Sequence, residues 1–382
     1  MEKICNLNQC SGCGACVGIC PKNCIKLIPD KDSCGHIYPK IDTSRCIDCE
    51  LCVRTCPVNT DTQLNYPLQA IAAFAKESTI LKKSSSGGLA FQTAKWIIEN
   101  GGIAYGATIQ YGRNFHITHK RISTISELEE TQGSKYVQSF VPREIYTQLK
   151  IDLKNNLKVL FIGTGCQIAG IKNFLKKDFE NLYTIDIICH GVPSLKTLKD
   201  YLASKIEISG IKDLKFRTSK GFDLTGEAID KRHFSYPLSK NLYMIGFLKG
   251  LYYRDSCYTC RYAQGNRGGD ITLGDFWGLN KNVKQSLNSP GGISVALINS
   301  AKGKELFEHI TAGITYTARP IEEAIAGNKQ LRSPSKKHFL NGFFKELYRI
   351  IGFNKSASIC LIGERLFYGL ILPIIKRYHN LK

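Results

Sequence analysis

Eight cysteines in two identical frames constrain this chain more than any other feature. Cys10-x2-Cys13-x2-Cys16-x3-Cys20-Pro21 recurs as Cys46-x2-Cys49-x2-Cys52-x3-Cys56-Pro57, each position displaced by 36 residues, so the front end is an internal duplication. Two-residue gaps let three thiolates wrap three corners of one iron–sulfur cubane. The fourth cysteine, led away by its proline, ligates the cubane of the other copy. One [4Fe–4S] cluster would take Cys10, Cys13, Cys16 and Cys56, and the second Cys46, Cys49, Cys52 and Cys20. Zinc ribbons also use C-x2-C pairs, but tetrahedral zinc needs neither a third cysteine two residues on nor a Cys-Pro in both copies. Cys5, Cys24 and Cys34 fall outside the frame and read as ordinary thiols.

The chain has 382 residues and 43% hydrophobic composition, enough for two or three packed domains, or one large domain with an appended module. Met1–Cys5 has no apolar core of a secretory signal, and no run of 18 apolar residues occurs. The expectation is a cytoplasmic protein whose sixteen cysteines serve metal or redox chemistry rather than disulfides. Net charge is +20, from 52 basic and 32 acidic residues, which suits acidic partners. Each four-thiolate cluster, at about −2, would offset part of that excess.

Four segments are expected: a ferredoxin-like domain over 1–62, a linker over 63–84 with a short helix from Leu68 to Lys76, a body over 85–345, and a basic apolar tail over 346–382. In the body, Ser84-Ser-Ser-Gly-Gly88 leads into a helix over Leu89–Asn100. Backbone N–H groups of Ser85, Ser86, Gly87 and Gly88 at such a helix start suit a phosphate, with simple capping as the plainer reading. A strand over Gly102–Gln110 follows. Lys158–Ile162 then reads as a strand turning through Gly163, Thr164 and Gly165 into a helix that carries Cys166 and Gln167. Leu182–Ile188 is a second strand, ending at Cys189-His190, with Ser194 set to cap a helix over Leu195–Ser204. Successive βα units imply an α/β body with a mixed or parallel sheet, behind a small α+β module. Ligands bind beyond the carboxyl ends of such strands, where Cys166 and Cys189 fall. Cys257-x2-Cys260 adds two more thiols, and these four together suit a third [4Fe–4S] cluster, a zinc ion or simple packing.

The front end resembles a bacterial two-cluster ferredoxin. The order SSSGG, GTGCQIAG, CHGVPS, C-x2-C and GGDITLGDFWG behind it resembles the coenzyme F420 hydrogenase/dehydrogenase beta-subunit family over roughly residues 5–340. That resemblance implies an iron–sulfur flavoprotein oxidoreductase. It matches Cys166, Cys189, Cys257 and Cys260 to the family's recurring cysteines, favouring the third cluster. It also implies FAD, with Ser85–Gly88 and Gly163, Thr164, Gly165 and Gln167 as cofactor-binding candidates. Where the family often reads Gly-Thr-Pro-Cys-Gln, this chain has Gly163-Thr-Gly-Cys-Gln167, which loosens the turn and keeps the cysteine. Lys135 is a candidate for a phosphate or a flavin oxygen, or else an unpaired surface lysine. His190 is a candidate proton relay, or a histidine bonded within its loop. Asp270 and Asp275 read equally as turn residues or ligand contacts.

The implied activity passes electrons from an acidic ferredoxin or flavodoxin through the clusters and FAD to a small-molecule substrate. A sugar intermediate of polysaccharide biosynthesis is the preferred class, because one branch of the family is encoded among exopolysaccharide genes. The alternatives are a subunit that reduces or oxidises coenzyme F420, and a non-catalytic electron-transfer subunit of a larger complex. Nucleic-acid binding through zinc is not expected. The tail, Leu366-Phe-Tyr-Gly-Leu-Ile-Leu-Pro373-Ile-Ile and then Lys376-Arg377, is too short to span a bilayer. It suits docking on a partner or peripherally on a membrane surface, with a terminal helix packed on its own chain as the simpler reading.

Overall fold

The computed structural model describes residues 3–30, 34–218 and 221–372. Pro373 and the Lys376-Arg377 pair of the tail lie outside those residues. None of the described helices is long and apolar enough to cross a membrane.

The duplication persists in the backbone. Gly12 and Asp48, displaced by the same 36 residues, both take positive φ (67° and 50°), and so do Gly14 and Glu50 (90° and 58°). The loop bends twice through the left-handed region to point three thiols inward. Only the first copy has glycine there. A Cβ on Gly12 would meet Gln138 Nε2 at 2.6 Å and Arg254 Nη2 at 2.8 Å, and one on Gly14 would meet the Val141 carbonyl at 2.7 Å. The first loop lies against the body, whereas the second tolerates side chains. Short helices, Ala15–Ile19 and Leu51–Thr55, follow the loops. The hairpin of β1 (Ile25–Pro29) and β2 (Ile37–Ile41) completes the α+β module.

The body is built on eight strands: β3 (Gln69–Ala75), β4 (Ile103–Gln110), β5 (His116–Ile122), β6 (Val159–Thr164), β7 (Leu182–Ile187), β11 (Ile271–Asp275), β12 (Ser294–Ile298) and β13 (Ile314–Arg319). Their order is β13-β3-β12-β11-β7-β6-β4-β5. The central pairs β4/β6, β6/β7 and β7/β11 are parallel, and the flanking pairs are antiparallel. Side chains alternate between two cores. Ala104, Leu160 and Ile185 face helices Leu89–Glu99 and Ala301–Ile310. Ile103, Tyr105, Val159 and Phe161 face helices Arg143–Lys154 and Gly165–Leu175, and this core also takes in Cys13 and Ala15 of the front module. A separate small sheet of β8 (Ile211–Lys215), β9 (Leu224–Ala228) and β10 (His233–Tyr236) packs with helices Leu195–Ala203 and Leu242–Leu248.

Two segment expectations are corrected. The helix expected over Leu68–Lys76 is strand β3, held between β12 and β13 with Ala70–Ala75 buried on both faces. Its four alanines favour a helix locally, but pairing on both sides of a sheet overrides propensity. The segment 63–84 is therefore part of the body and not a linker. Residues 346–360, expected in a tail, belong to helices Asn341–Ile351 and Phe353–Cys360, whose Phe344, Tyr348, Phe353 and Cys360 are buried in the core around the small sheet. Beyond them, Glu364 turns inward to His338 at 3.2 Å, while Ile362, Leu366 and Leu370 face outward.

Candidate iron–sulfur and redox site

The two cysteine frames interleave, each hollow being lined by three thiols of one copy and the last thiol of the other. One hollow is lined by Cys10, Cys13, Cys16 and Cys56, the other by Cys20, Cys46, Cys49 and Cys52, each with apolar walls. Among the described residues, no three His, Cys, Asp or Glu side chains converge on a single-ion site. Four thiols spaced around a hollow suit the corners of a cubane. Each hollow has a fifth thiol that sequence spacing did not assign. Cys5 lines the first, and Cys24 lines the second with its Sγ 3.3 Å from Cys20 Sγ. Cys34 instead packs into the body core.

The first hollow faces the body. Tyr146 donates to the Cys13 carbonyl at 2.8 Å, and Ser256 to the Cys10 carbonyl at 3.1 Å. Helix Gly165–Leu175 comes so close that a Cβ on Gly170 would stand 3.1 Å from Cys13 Sγ. The second hollow is open to solvent on one side, with Cys46 and Cys49 half-exposed beside the exposed Ile47, and on the other Arg143 of the body holds the Cys20 carbonyl.

The four body cysteines gather at the carboxyl edge of the parallel strands. Cys166 opens the helix that begins directly after β6, and Cys189 follows β7 by two residues. Cys257 and Cys260 lie on a 3-10 turn, Asp255–Thr259, and at its end. That turn is tied to the Cys189 loop by the Arg254 N–H on the Val192 carbonyl at 3.0 Å. All four are half-buried. Burial pushes the Cys189 thiol up to about 12 and Cys260 to about 11, and repulsion from Cys166 adds to both.

A buried ionic brace seats this edge. Arg267 and Asp186, 2% and 1% exposed, pair at 2.6 Å. Arg267 also donates to the Tyr262 carbonyl, and Thr272 donates to the Asp186 carboxylate. Asp270 is a turn residue. Its carboxylate accepts from the Thr184 N–H and hydroxyl at 2.8 and 2.6 Å and from Ser300 at 2.7 Å. Asp275 pairs with Arg217, whose guanidinium stacks 5.3 Å from the Phe222 ring and 5.9 Å from Trp277.

The remaining candidates form one strip. Ser85 Oγ accepts the Ser134 N–H at 2.7 Å, joining the Ser-Gly turn to the loop of Lys135 and Tyr136. The Tyr136 ring lies 4.8 Å from Phe247, and Phe247 lies 6.2 Å from His190, next to Cys189. Several expected phosphate donors already have partners. Gly87 N–H goes to Ser294 Oγ at 2.9 Å, and Ser294 donates to Ser86 Oγ at 3.1 Å. Thr164 N–H goes to Gln167 Oε1 at 3.0 Å, while the Gln167 amide holds Ser139. Gly163 and Gly165 are strand end and helix start with no loop between them, and a Cβ on Gly165 would meet Tyr262 at 2.9 Å. Gly88, at φ 77°, caps the helix that follows. Lys135 is not an unpaired surface lysine. Its ammonium donates to the Thr131, Gln132 and Gly133 carbonyls at 2.6, 3.1 and 3.2 Å. Burial pulls its pKa down to about 7. His190 is half-buried, with its pKa lowered by burial against the pull of Asp275, and its carbonyl accepts from Ser335.

Comparison with known proteins places these parts. A profile of the C terminus of the coenzyme F420 hydrogenase/dehydrogenase beta subunit matches residues 156–324, and a 4Fe-4S dicluster domain matches residues 9–60. An uncharacterised protein of Methanocaldococcus jannaschii is 25% identical over 47% of this chain and 57% of its own length. Subunit I of the NADH-quinone oxidoreductase of Pelobacter propionicus is 40% identical over 13% of this chain and 30% of its own. The chain thus spans about half or less of these two relatives. A chain from the F420-reducing [NiFe] hydrogenase complex of Methanosarcina barkeri is 18% identical, covering 80% of this chain and 95% of that one, with a TM-score of 0.47.

Proposed function

For a chain that carries the C-terminal domain of the coenzyme F420 hydrogenase/dehydrogenase beta-subunit family behind a 4Fe-4S dicluster domain, we propose an iron–sulfur flavoprotein oxidoreductase. It takes single electrons from an acidic ferredoxin or flavodoxin and delivers them to a small-molecule substrate on the body. The observation that supports this reading is the presence of three thiol sets, with Cys13 of the inward set close enough to Cys166 of the body set for their charges to interact. The outward hollow at Cys20, Cys46, Cys49 and Cys52 comes first, then the inward hollow at Cys10, Cys13, Cys16 and Cys56, then the body set at Cys166, Cys189, Cys257 and Cys260. When bound, iron–sulfur clusters supply one-electron transfer, and a flavin joins that to two-electron chemistry.

The residues of the body serve that end by position. The strip from Ser85 through Lys135, Tyr136 and Phe247 to His190 offers hydroxyls, a lysine held by three carbonyls and a run of tilted rings, and it ends beside the body cysteines. Ser85 would hold the cofactor's polar end and Tyr136 its ring, with His190 in reach of a proton at the substrate, and Lys135 would join them only by giving up one of its three carbonyl partners. The basic surface behind the +20 charge supports an acidic electron donor. A sugar intermediate is the substrate class we favour, on the family resemblance.

Anaerobic purification with iron, sulfide and flavin counted per chain tests this. About 12 Fe with one FAD is expected for three cubanes. About 8 Fe would confine the clusters to the front module, and zinc without flavin would overturn the oxidoreductase reading. Purified alone, the enzyme should have its reduced flavin reoxidised by substrate. A relay protein would show that only with its catalytic partner present.

A further inference from the structure

Arg254 is the largest of the fully buried side chains among the described residues, at 0% exposure. Its guanidinium donates to the Cys10 carbonyl at 3.3 Å, to the Ile37 carbonyl at 2.9 Å and to Gln138 Oε1 at 2.7 Å, and it lies 4.7 Å over the Tyr38 ring. Every acceptor is neutral. The other deeply buried arginine, Arg267, has Asp186 against it, but among the described residues no carboxylate pairs with Arg254. An uncompensated buried cation is strongly disfavoured, so a fold that keeps one needs an anion close by.

The surroundings identify that anion. The Arg254 side chain reaches into the front module at Cys10 and packs against Gly12, inside the first cysteine loop. Its backbone starts the turn carrying Cys257 and Cys260, because the Cys257 N–H bonds the Arg254 carbonyl at 2.9 Å and the Arg254 N–H bonds Val192 beside the Cys189 loop. One residue therefore spans the junction between the inward thiol set and the body thiol set. We propose that Arg254 is the fixed counter-charge of the groups held at these two sets, raising their reduction potentials and so drawing electrons inward. The proposal rests on the iron–sulfur reading of those cysteines. Each transfer is one electron: the outer group is oxidised and the inner one reduced, and no bond is made or broken. Reduction adds one negative charge, which a neighbouring guanidinium stabilises. Clusters carry their potentials partly through such local charge.

The test is an anaerobic potentiometric titration followed by electron paramagnetic resonance, on the full chain and three variants. Arg254→Gln should keep its iron and lower at least one midpoint by about 59 mV, a tenfold change in the one-electron equilibrium. Arg254→Lys should recover most of that shift. Gln138→Glu sets a carboxylate against the intact guanidinium and should lower the same midpoint, which decides the matter even where Arg254→Gln fails to fold. Unchanged midpoints at full iron content in both Arg254→Gln and Gln138→Glu would overturn the proposal. A wild-type chain without iron or signals would overturn the underlying iron–sulfur reading instead, and the two failures are distinct.

Discussion

Single residues carry charge where the fold has little water to solvate it, and His119 shows the consequence for stability. It sits on β5 with its ring stacked 5.1 Å from Phe161 and Nε2 3.1 Å from the Ile162 carbonyl. Burial pushes its pKa down to about 4 from an ordinary 6.5. Its folded value lies below its unfolded one, so between pH 6.5 and 4 the unfolded chain binds a proton that the native chain does not. The contribution is complete above the unfolded value and is lost as pH falls through that window, to a limit of about 3 kcal/mol. Unfolding in denaturant at about pH 7 and about pH 5 should show His119→Gln losing about 2 kcal/mol less than the parent between the two. Equal losses would place the acid sensitivity elsewhere. No periodicity marks His119, because its position on an alternating strand is legible while the closeness of the covering helices is not.

At the scale of elements, the site depends on the join between strands and the turns that carry cysteines. The Arg267–Asp186 pair ties β7 and β11 to the segment after Cys260, and the Asn65–Arg267 bridge adds the segment leaving the front module. Asp186→Asn strands a buried guanidinium and should cost about 3–5 kcal/mol in chemical unfolding. Adding Arg267→Met should recover much of that loss, since removing both charges leaves neither unpaired. A single-variant loss below about 1 kcal/mol would show that water reaches the pair. The helix starts were readable. Ser194 caps Leu195–Ala203 as its position in CHGVPS implies, with Thr197 N–H 3.1 Å from its hydroxyl. Strand β3 was not, because alanines alternate nothing and its two neighbours, β12 and β13, come from far later in the chain.

Across the whole molecule, the front module is docked on the body. Arg143 donates to the Val17 and Cys20 carbonyls at 3.0 and 2.6 Å, and Arg261 donates to the Pro57 carbonyl at 2.8 Å. Part of the chain's positive charge is therefore spent at this junction, where Arg254 is buried, Arg143 half-buried and Arg261 exposed at the rim. Limited proteolysis of the full protein should spare residues 63–68, although sequence alone reads a linker beginning at residue 63. Rapid cleavage at that junction would show that the module undocks on the timescale of the digest.

Chemistry that depends on spacing was written in the chain itself: the crossed cysteine frames, the strand–helix units that put Cys166 and Cys189 at one edge, and the Cys257-x2-Cys260 pair. These are short-range, since two-residue gaps and strand ends set where a thiol can point. The direction of the front module came only with the structure, which sets Gly12 and Gly14 against the body where the second copy has Asp48 and Glu50. What distant segments do together emerged on folding and not before: β3 inside the sheet, residues 346–360 in the core, a fifth thiol at each hollow, and Arg254 at the junction. Those follow from packing and from the cost of burying charge, and both depend on which residues become neighbours once the chain has folded.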